Sequence, residues 1–106
     1  MKSLNKVILV GRIGSEIELR HIQNGDSVTN FSIATDESYT IDGKKIEKTE
    51  WHKCTAWKQT AETISQICHK GDTVLVEGKL QTRTWDKNGT KQLTTEIVVL
   101  NIIKFE

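Results

Sequence analysis

Three dipeptides, Asn24-Gly25, Asp42-Gly43 and Asn88-Gly89, punctuate a chain that has no proline and long stretches rich in β-branched residues. Tight hairpin turns need residues that tolerate positive φ, and Asn-Gly and Asp-Gly are the pairs that do so most readily. Each pair separates two extended runs, so the chain is expected to double back on itself as antiparallel strands. The runs are Asn5–Ile22, Val28–Tyr39, Lys45–Trp57, Thr73–Trp85 and Thr90–Ile103. The first is expected to bend near Gly11 and Gly14, where a missing side chain eases sharp curvature.

One segment departs from the strand period. Between Lys58 and His69, Ala61, Ile64 and Cys68 recur at helical spacing, with Ile67 beside them. Thr60 is expected to cap this helix, Glu62 to sit in its first turn, and Gly71 to provide a left-handed stop. Three strands, a short helix and two more strands is the layout of an all-β, five-stranded OB-fold barrel, with the helix between strands 3 and 4. Other small barrels share that pattern.

The length of 106 residues suits a single domain, taken here as 1–106, and no low-complexity tract marks a linker or a second module. A domain of this size buries only about two-thirds of its unfolded surface, so association of identical copies would add to its stability. A hydrophobic fraction of 36% and a charged fraction of 27% suit a soluble globular protein. No apolar run approaches the roughly 18 residues of a membrane helix, and the start is too polar for a signal peptide, so a cytoplasmic location is expected.

The formal net charge is only +1, but it is unevenly spread. Lys44–Lys91 carries ten Lys/Arg against six Asp/Glu, and the remainder five against eight. All three tryptophans lie in the basic stretch. A molecule close to neutral can therefore still present a positive face.

Strand alternation sharpens this. In the third run Thr49, Trp51, Lys53, Thr55 and Trp57 share one face, and Cys54 and Ala56 point the other way. In the fourth, Lys79, Gln81, Arg83 and Trp85 lie opposite Val76, Gly78, Leu80 and Thr82. Each strand thus puts tryptophan with the cations, whereas a simple core would put it with the aliphatic residues. Single-stranded nucleic acid explains such a face. An unpaired base stacks on an aromatic ring for roughly 1–3 kcal/mol whatever its identity. The phosphates need Lys or Arg at intervals along the same path. Trp51, Trp57 and Trp85, with Lys53, Lys58, Arg83 and Lys87 between them, supply both parts. Tyr39, near the Asp42-Gly43 turn, is a further stacking candidate. The competing reading is that these tryptophans pack within the domain and the cations are ordinary solvated side chains.

Enzyme chemistry has little support. His21, His52 and His69 show no metal-ligand spacing with one another or with Cys54 and Cys68, and no glycine-rich phosphate loop occurs. The two cysteines are expected to be reduced and buried. No metal, cofactor or catalytic residue is expected.

Several segments resemble bacterial single-stranded DNA-binding proteins. They are Asn5-Lys6-Val7-Ile8-Leu9-Val10-Gly11, Asn24-Gly25 before a strand ending Ala34-Thr35, and Thr49-Glu50-Trp51-His52. Glu77-Gly78-Lys79-Leu80-Gln81-Thr82-Arg83-Thr84-Trp85 and Thr94-Thr95-Glu96 complete a series that runs in order along nearly the whole chain. The resemblance implies an OB barrel that coats single-stranded DNA during replication, recombination and repair. It implies a homotetramer built as a dimer of dimers, with a cytoplasmic, nucleoid-associated location. It places stacking aromatics at Tyr39, Trp51, Trp57 and Trp85, and phosphate contacts at Arg20, Lys53, Lys70 and Arg83. His52 falls at a family subunit-interface position, and Val7, Ile8, Leu9 and Val10 offer apolar groups to both the barrel and a partner chain. Gln81 and Thr84 are uncharged where relatives are commonly basic, which implies a weaker or shorter footprint. The chain ends at Glu106 without the flexible linker and acidic tip of typical relatives, so recruitment of repair proteins by that route is not expected. Two other readings are open. One is a dimer resembling primosomal replication protein N, and the other is a protein-interaction barrel with no nucleic-acid role.

Overall fold

The computed structural model describes residues 1–106. Its strands are β1 (Val7–Ile13), β2 (Arg20–His21), β3 (Ser27–Asp36), β4 (Tyr39–Ile41), β5 (Lys44–Ile46), β6 (Thr49–Trp57), β7 (Thr73–Lys87) and β8 (Thr90–Lys104), with helix α1 (Lys58–Ile67) between β6 and β7. The main sheet runs β1-β7-β8-β6-β3-β2, and an added β1–β3 pairing closes β1, β7, β8, β6 and β3 into a ring. This is the five-stranded OB-fold barrel expected from the pattern, with the helix between its third and fourth strands. No helix is long and apolar enough to cross a membrane.

Alternation sorts the side chains to the two sides of the ring. Ile13, Phe31, Ile33, Cys54, Ala56, Val74, Val76, Ile97 and Val99 fill the interior, and Ala61, Ile64 and Cys68 of the helical segment close one end. Burying a residue such as Ile64 contributes roughly 1.5–3 kcal/mol. Both cysteines are free and buried, as expected. Burial, helped by the nearby Glu96 charge, pushes the Cys54 thiol up to about 12, so it stays protonated and inert. In β1, Val7 and Leu9 pack against the core, and Ile8 and Val10 point outward.

The turn dipeptides fold as their chemistry requires. Asp42 and Gly43, and again Asn88 and Gly89, all adopt positive φ, which makes two-residue hairpins of β4–β5 and β7–β8. At Asn24-Gly25 only Gly25 is left-handed. There the Gly25 N–H donates to the Ile22 carbonyl, and the Ile22 N–H to the Asp26 carbonyl, a three-residue loop.

Several local expectations are corrected. The run Asn5–Ile22 is not one bent strand: β1 stops at Ile13, and the two-residue β2 begins only at Arg20. Ser15 Oγ takes the Ser32 N–H and the Gly14 N–H donates to the Ser32 carbonyl, so the chain leaves the ladder there. The runs Val28–Tyr39 and Lys45–Trp57 are likewise split: β3 ends at Asp36 and Tyr39 opens β4 in a separate sheet, while β5 ends at Ile46 and β6 starts at Thr49. Thr60 does not cap α1. The helix starts at Lys58 with Trp57 in the cap position and without a side-chain cap, so Glu62 falls beyond its first turn, which holds no acidic residue. Gly71 is left-handed, but it serves the turn into β7, where its N–H donates to the Ile13 carbonyl. The helix itself ends at extended Cys68, and Lys104 Nζ donates to the Ile67 carbonyl at 3.0 Å.

Gly78 marks the tightest contact in the wall. It faces β8 where the register slips between Glu77 and Gly78, leaving Leu100 unpaired. A Cβ on Gly78 would overlap the Val98 carbonyl oxygen, which is backbone and cannot swing away. Gly78→Ala is therefore expected to destabilise the fold by about 1–3 kcal/mol, measured by urea unfolding; an unchanged midpoint would show that the β7–β8 wall can relax.

Candidate nucleic-acid interface

The outer face of the barrel is assembled row by row by strand register. Asn30 pairs with Thr55, Thr55 with Val98, and Val98 with Lys79, which aligns one row across β3, β6, β8 and β7. Two residues on, Ser32 lies opposite Lys53, and Glu96 opposite Gln81. The next row holds Ala34 opposite Trp51, and Thr94 opposite Arg83. Toward the other end, Arg20, Val28 and Trp57 align across β2, β3 and β6. All these residues share one parity, so Trp51, Lys53, Trp57, Arg20, Arg83 and Trp85 open on one surface.

The tryptophans are neither free nor buried. Trp51 is 59%, Trp57 42% and Trp85 39% exposed, with the core complete without them. Two of them have local support. The six-membered ring of Trp51 lies over Gly14, where a Cβ would strike ring atom Cζ3. Trp85 Nε1 donates to Thr94 Oγ1 at 2.8 Å across the β7–β8 hairpin. Trp57 ends β6 and opens α1. A ring anchored at one edge and open to water on the other is a ready stacking platform.

β6 and β8 pair only at Cys54–Ile97 and Thr55–Val98 and then splay. Between them opens a groove of about 410 Å³ lined by Trp51, Lys53, Thr94 and Glu96 among others. The cations around it differ in availability. Lys53, Lys79 and Lys87 have no carboxylate partner, whereas Arg83 Nε lies 3.3 Å from the largely buried Glu96 carboxylate. Arg20 is also free of carboxylates and donates from Nη2 to Asn30 Oδ1 at 2.6 Å. A larger groove of about 680 Å³ lies between β1, β3 and the β4–β5 hairpin. Its Arg12 and Lys45 face Asp36 and Glu47, so it has no net attraction for an anion. The Ser38 hydroxyl and N–H hold the Asp36 carboxyl below its ordinary range, which keeps that negative charge in place.

Some expected residues sit away from this face. Tyr39 is exposed on the separate two-stranded β4–β5 hairpin. Lys70 lies on the α1–β7 turn, beside the Gly71 contact with Ile13, and Lys58 opens α1 with a φ of 55°. Lys87, by contrast, shares the parity of Arg83 and Trp85 and ends this face at the tip of the β7–β8 hairpin, next to the Asn88-Gly89 turn. His52 has the inward parity and is half-buried, with Nε2 2.9 Å from Thr35 Oγ1. Asn30, Glu96 and Thr94 lie on the same outer face but were not singled out as functional from the sequence. The available signal was Asn30 itself, an unfavourable strand residue inside a β-rich run.

Residues 4–105 match the model of the single-strand binding protein family. The chain belongs to that family. It is 46% identical over 100 residues to single-stranded DNA-binding protein 1 of Chlorobaculum tepidum, covering 92% of this chain and 62% of that protein. The chain thus spans somewhat under two-thirds of the length of this curated relative. Its fold superposes on the Plasmodium falciparum SSB solved in complex with ssDNA, with a TM-score of 0.87, 34% identity, and coverage of 100% of this chain and 98% of that one. A deletion mutant of the single-stranded DNA-binding protein from Thermus aquaticus gives a TM-score of 0.82 at 26% identity, over 97% of this chain and 51% of that one. Proteins of the single-strand binding family are binding proteins rather than enzymes, in keeping with the expectation from the sequence.

Proposed function

We propose that this chain binds single-stranded DNA without sequence preference and protects it during replication, recombination and repair. Bases stack on Trp51, Trp57 and Trp85 while Arg20, Lys53, Lys79 and Lys87 meet phosphates along the same outer face. One observation carries this reading: three part-exposed tryptophans, outside a core that is complete without them, share a parity with unpaired cations. Tyr39 extends the stacking surface onto the β4–β5 hairpin, and Lys58 and Lys70 add charge at its margin. The P. falciparum relative, solved with ssDNA, supports the same ligand class.

The functional unit is a homo-oligomer, a dimer of dimers, and the domain occupies residues 1–106. Support for association comes from the outer side of β1. Ile8 and Val10 are 56% and 48% exposed there, and Val10 aligns with Leu75 and Ile103 across β7 and β8 into an apolar row. Val7 and Leu9 contribute from behind by packing that strand on the core. His52 steadies the neighbouring end of the barrel through Thr35.

The deciding experiment is tryptophan fluorescence during titration with oligo(dT), at low and high salt, with duplex DNA as control. Strong quenching by the single strand, weakened by salt and absent with duplex, is expected. An absence of quenching at low salt would leave the barrel as a protein-interaction module. Glu96→Gln releases Arg83 from its carboxylate partner, so oligo(dT) affinity is expected to rise about two- to fivefold and to become more salt-dependent. A drop in affinity would mean that Glu96 orients Arg83 rather than neutralising it. Val10→Glu places a charge in the apolar row and is expected to lower the oligomer mass in sedimentation equilibrium. An unchanged mass would put the subunit contact elsewhere.

A further inference from the structure

We infer that Asn30 and Thr55 are positioning residues that hold Arg20 beside Trp57 as a phosphate ligand with its full charge. The inference rests on the DNA-binding reading above and assigns a mechanism to one edge of that face.

The argument begins with how weakly Arg20 is otherwise held. β2 has only two residues, paired through Arg20–Val28 and His21–Ser27. A side chain on so short a strand needs an anchor of its own. Arg20 has one, since its Nη2 donates to Asn30 Oδ1 at 2.6 Å. Asn30 Nδ2 in turn donates to Thr55 Oγ1 at 2.8 Å. The polarity of this chain has one consistent solution. A guanidinium can only donate, so Asn30 must turn its oxygen toward Arg20 and its NH₂ toward Thr55, whose hydroxyl then accepts. Thr55 is almost fully buried and fixed in the β3–β6–β8 ladder. It is the rigid end of the chain, and Arg20 the solvent end.

The neutral anchor matters as much as the geometry. No carboxylate lies within ion-pair distance of Arg20, in contrast to Arg83 and Glu96. An amide oxygen restrains the guanidinium without cancelling its charge, and most of its five N–H donors remain free for a phosphate. Register sets the direction. Arg20, Val28 and Trp57 form one row, and Asn30 and Thr55 lie in the next. A base stacked on Trp57 would therefore have its phosphate within the sweep of a guanidinium already held in place.

The test is oligo(dT) affinity measured across a salt series for single and double variants. Arg20→Ala is expected to reduce the magnitude of the slope of log affinity against log salt by about 0.7, one single-strand phosphate contact. Asn30→Ala and Thr55→Val are each expected to lower affinity about two- to fivefold in the wild-type background. Neither should lower it further once Arg20 is alanine. Asn30→Asp is the decisive variant, because it keeps the acceptor and the anchor but cancels the charge. It is expected to lose the same slope as Arg20→Ala with an unchanged melting temperature, which a purely structural role for Asn30 would not produce. It also decides the matter should Asn30→Ala or Thr55→Val fail to fold. Additive losses in the Arg20→Ala background, or an Asn30→Asp slope equal to wild type, would overturn the positioning role. An unchanged slope in Arg20→Ala would overturn it too, by removing Arg20 from the phosphate path. Oligo(dT) quenching of that same variant would still report separately on the wider binding reading.

Discussion

The ring closes on very few backbone pairs, and the rest of the molecule depends on them. β1 reaches β3 only at Arg12–Ala34 and Ile13–Ile33, and β6 reaches β8 only at Cys54–Ile97 and Thr55–Val98. The long antiparallel ladders β3–β6 and β7–β8 could each form as a hairpin without them. Two short seams convert these ladders and β1 into a barrel, remove most free edges, and enclose the aliphatic interior. They also bring the outer rows of β3, β6, β8 and β7 into one surface. The same closure therefore makes the core and assembles the candidate binding face.

The charge of this face is controlled locally. A protein with a net charge of +1 has no strong overall field to attract a polyanion. What distinguishes its cations is their immediate partners. Arg83 is held by the largely buried Glu96, Arg20 by a neutral amide, and Lys53, Lys79 and Lys87 by nothing charged. The larger groove beside β1 is charge-balanced, and the smaller one carries the tryptophan and the free lysine. Size alone would single out the charge-balanced groove. Two of the aromatic rings are treated in a similar way, supported along one edge, by Gly14 under Trp51 and by the Thr94 hydroxyl at Trp85. Such support lowers the entropy lost on stacking a base while leaving a face in water.

Much of this was legible in the residues because it depends on local chemistry. Asp42-Gly43 and Asn88-Gly89 form the hairpins their φ tolerance requires. Period-two patterning correctly separated Trp51, Lys53 and Trp57 from Cys54 and Ala56. Errors fell where competing contacts redirect the chain. Ser15 and Gly14 end the first strand by bonding Ser32, and the helix starts at Lys58, so Thr60 already lies within it. Capping and bending signals are weak individually, and long-range hydrogen bonds outweigh them.

By itself the sequence determined the strand-rich class, the hairpin positions, the helical segment and the pairing of tryptophan with cations on alternating positions. Each follows from interactions between residues a few places apart. Only the tertiary structure decided which rows share a surface, that Glu96 neutralises Arg83, and that Arg20 is linked through Asn30 to Thr55. Those contacts join residues brought together by register and barrel closure. A slip of one residue in any strand would turn its whole set of side chains to the other face.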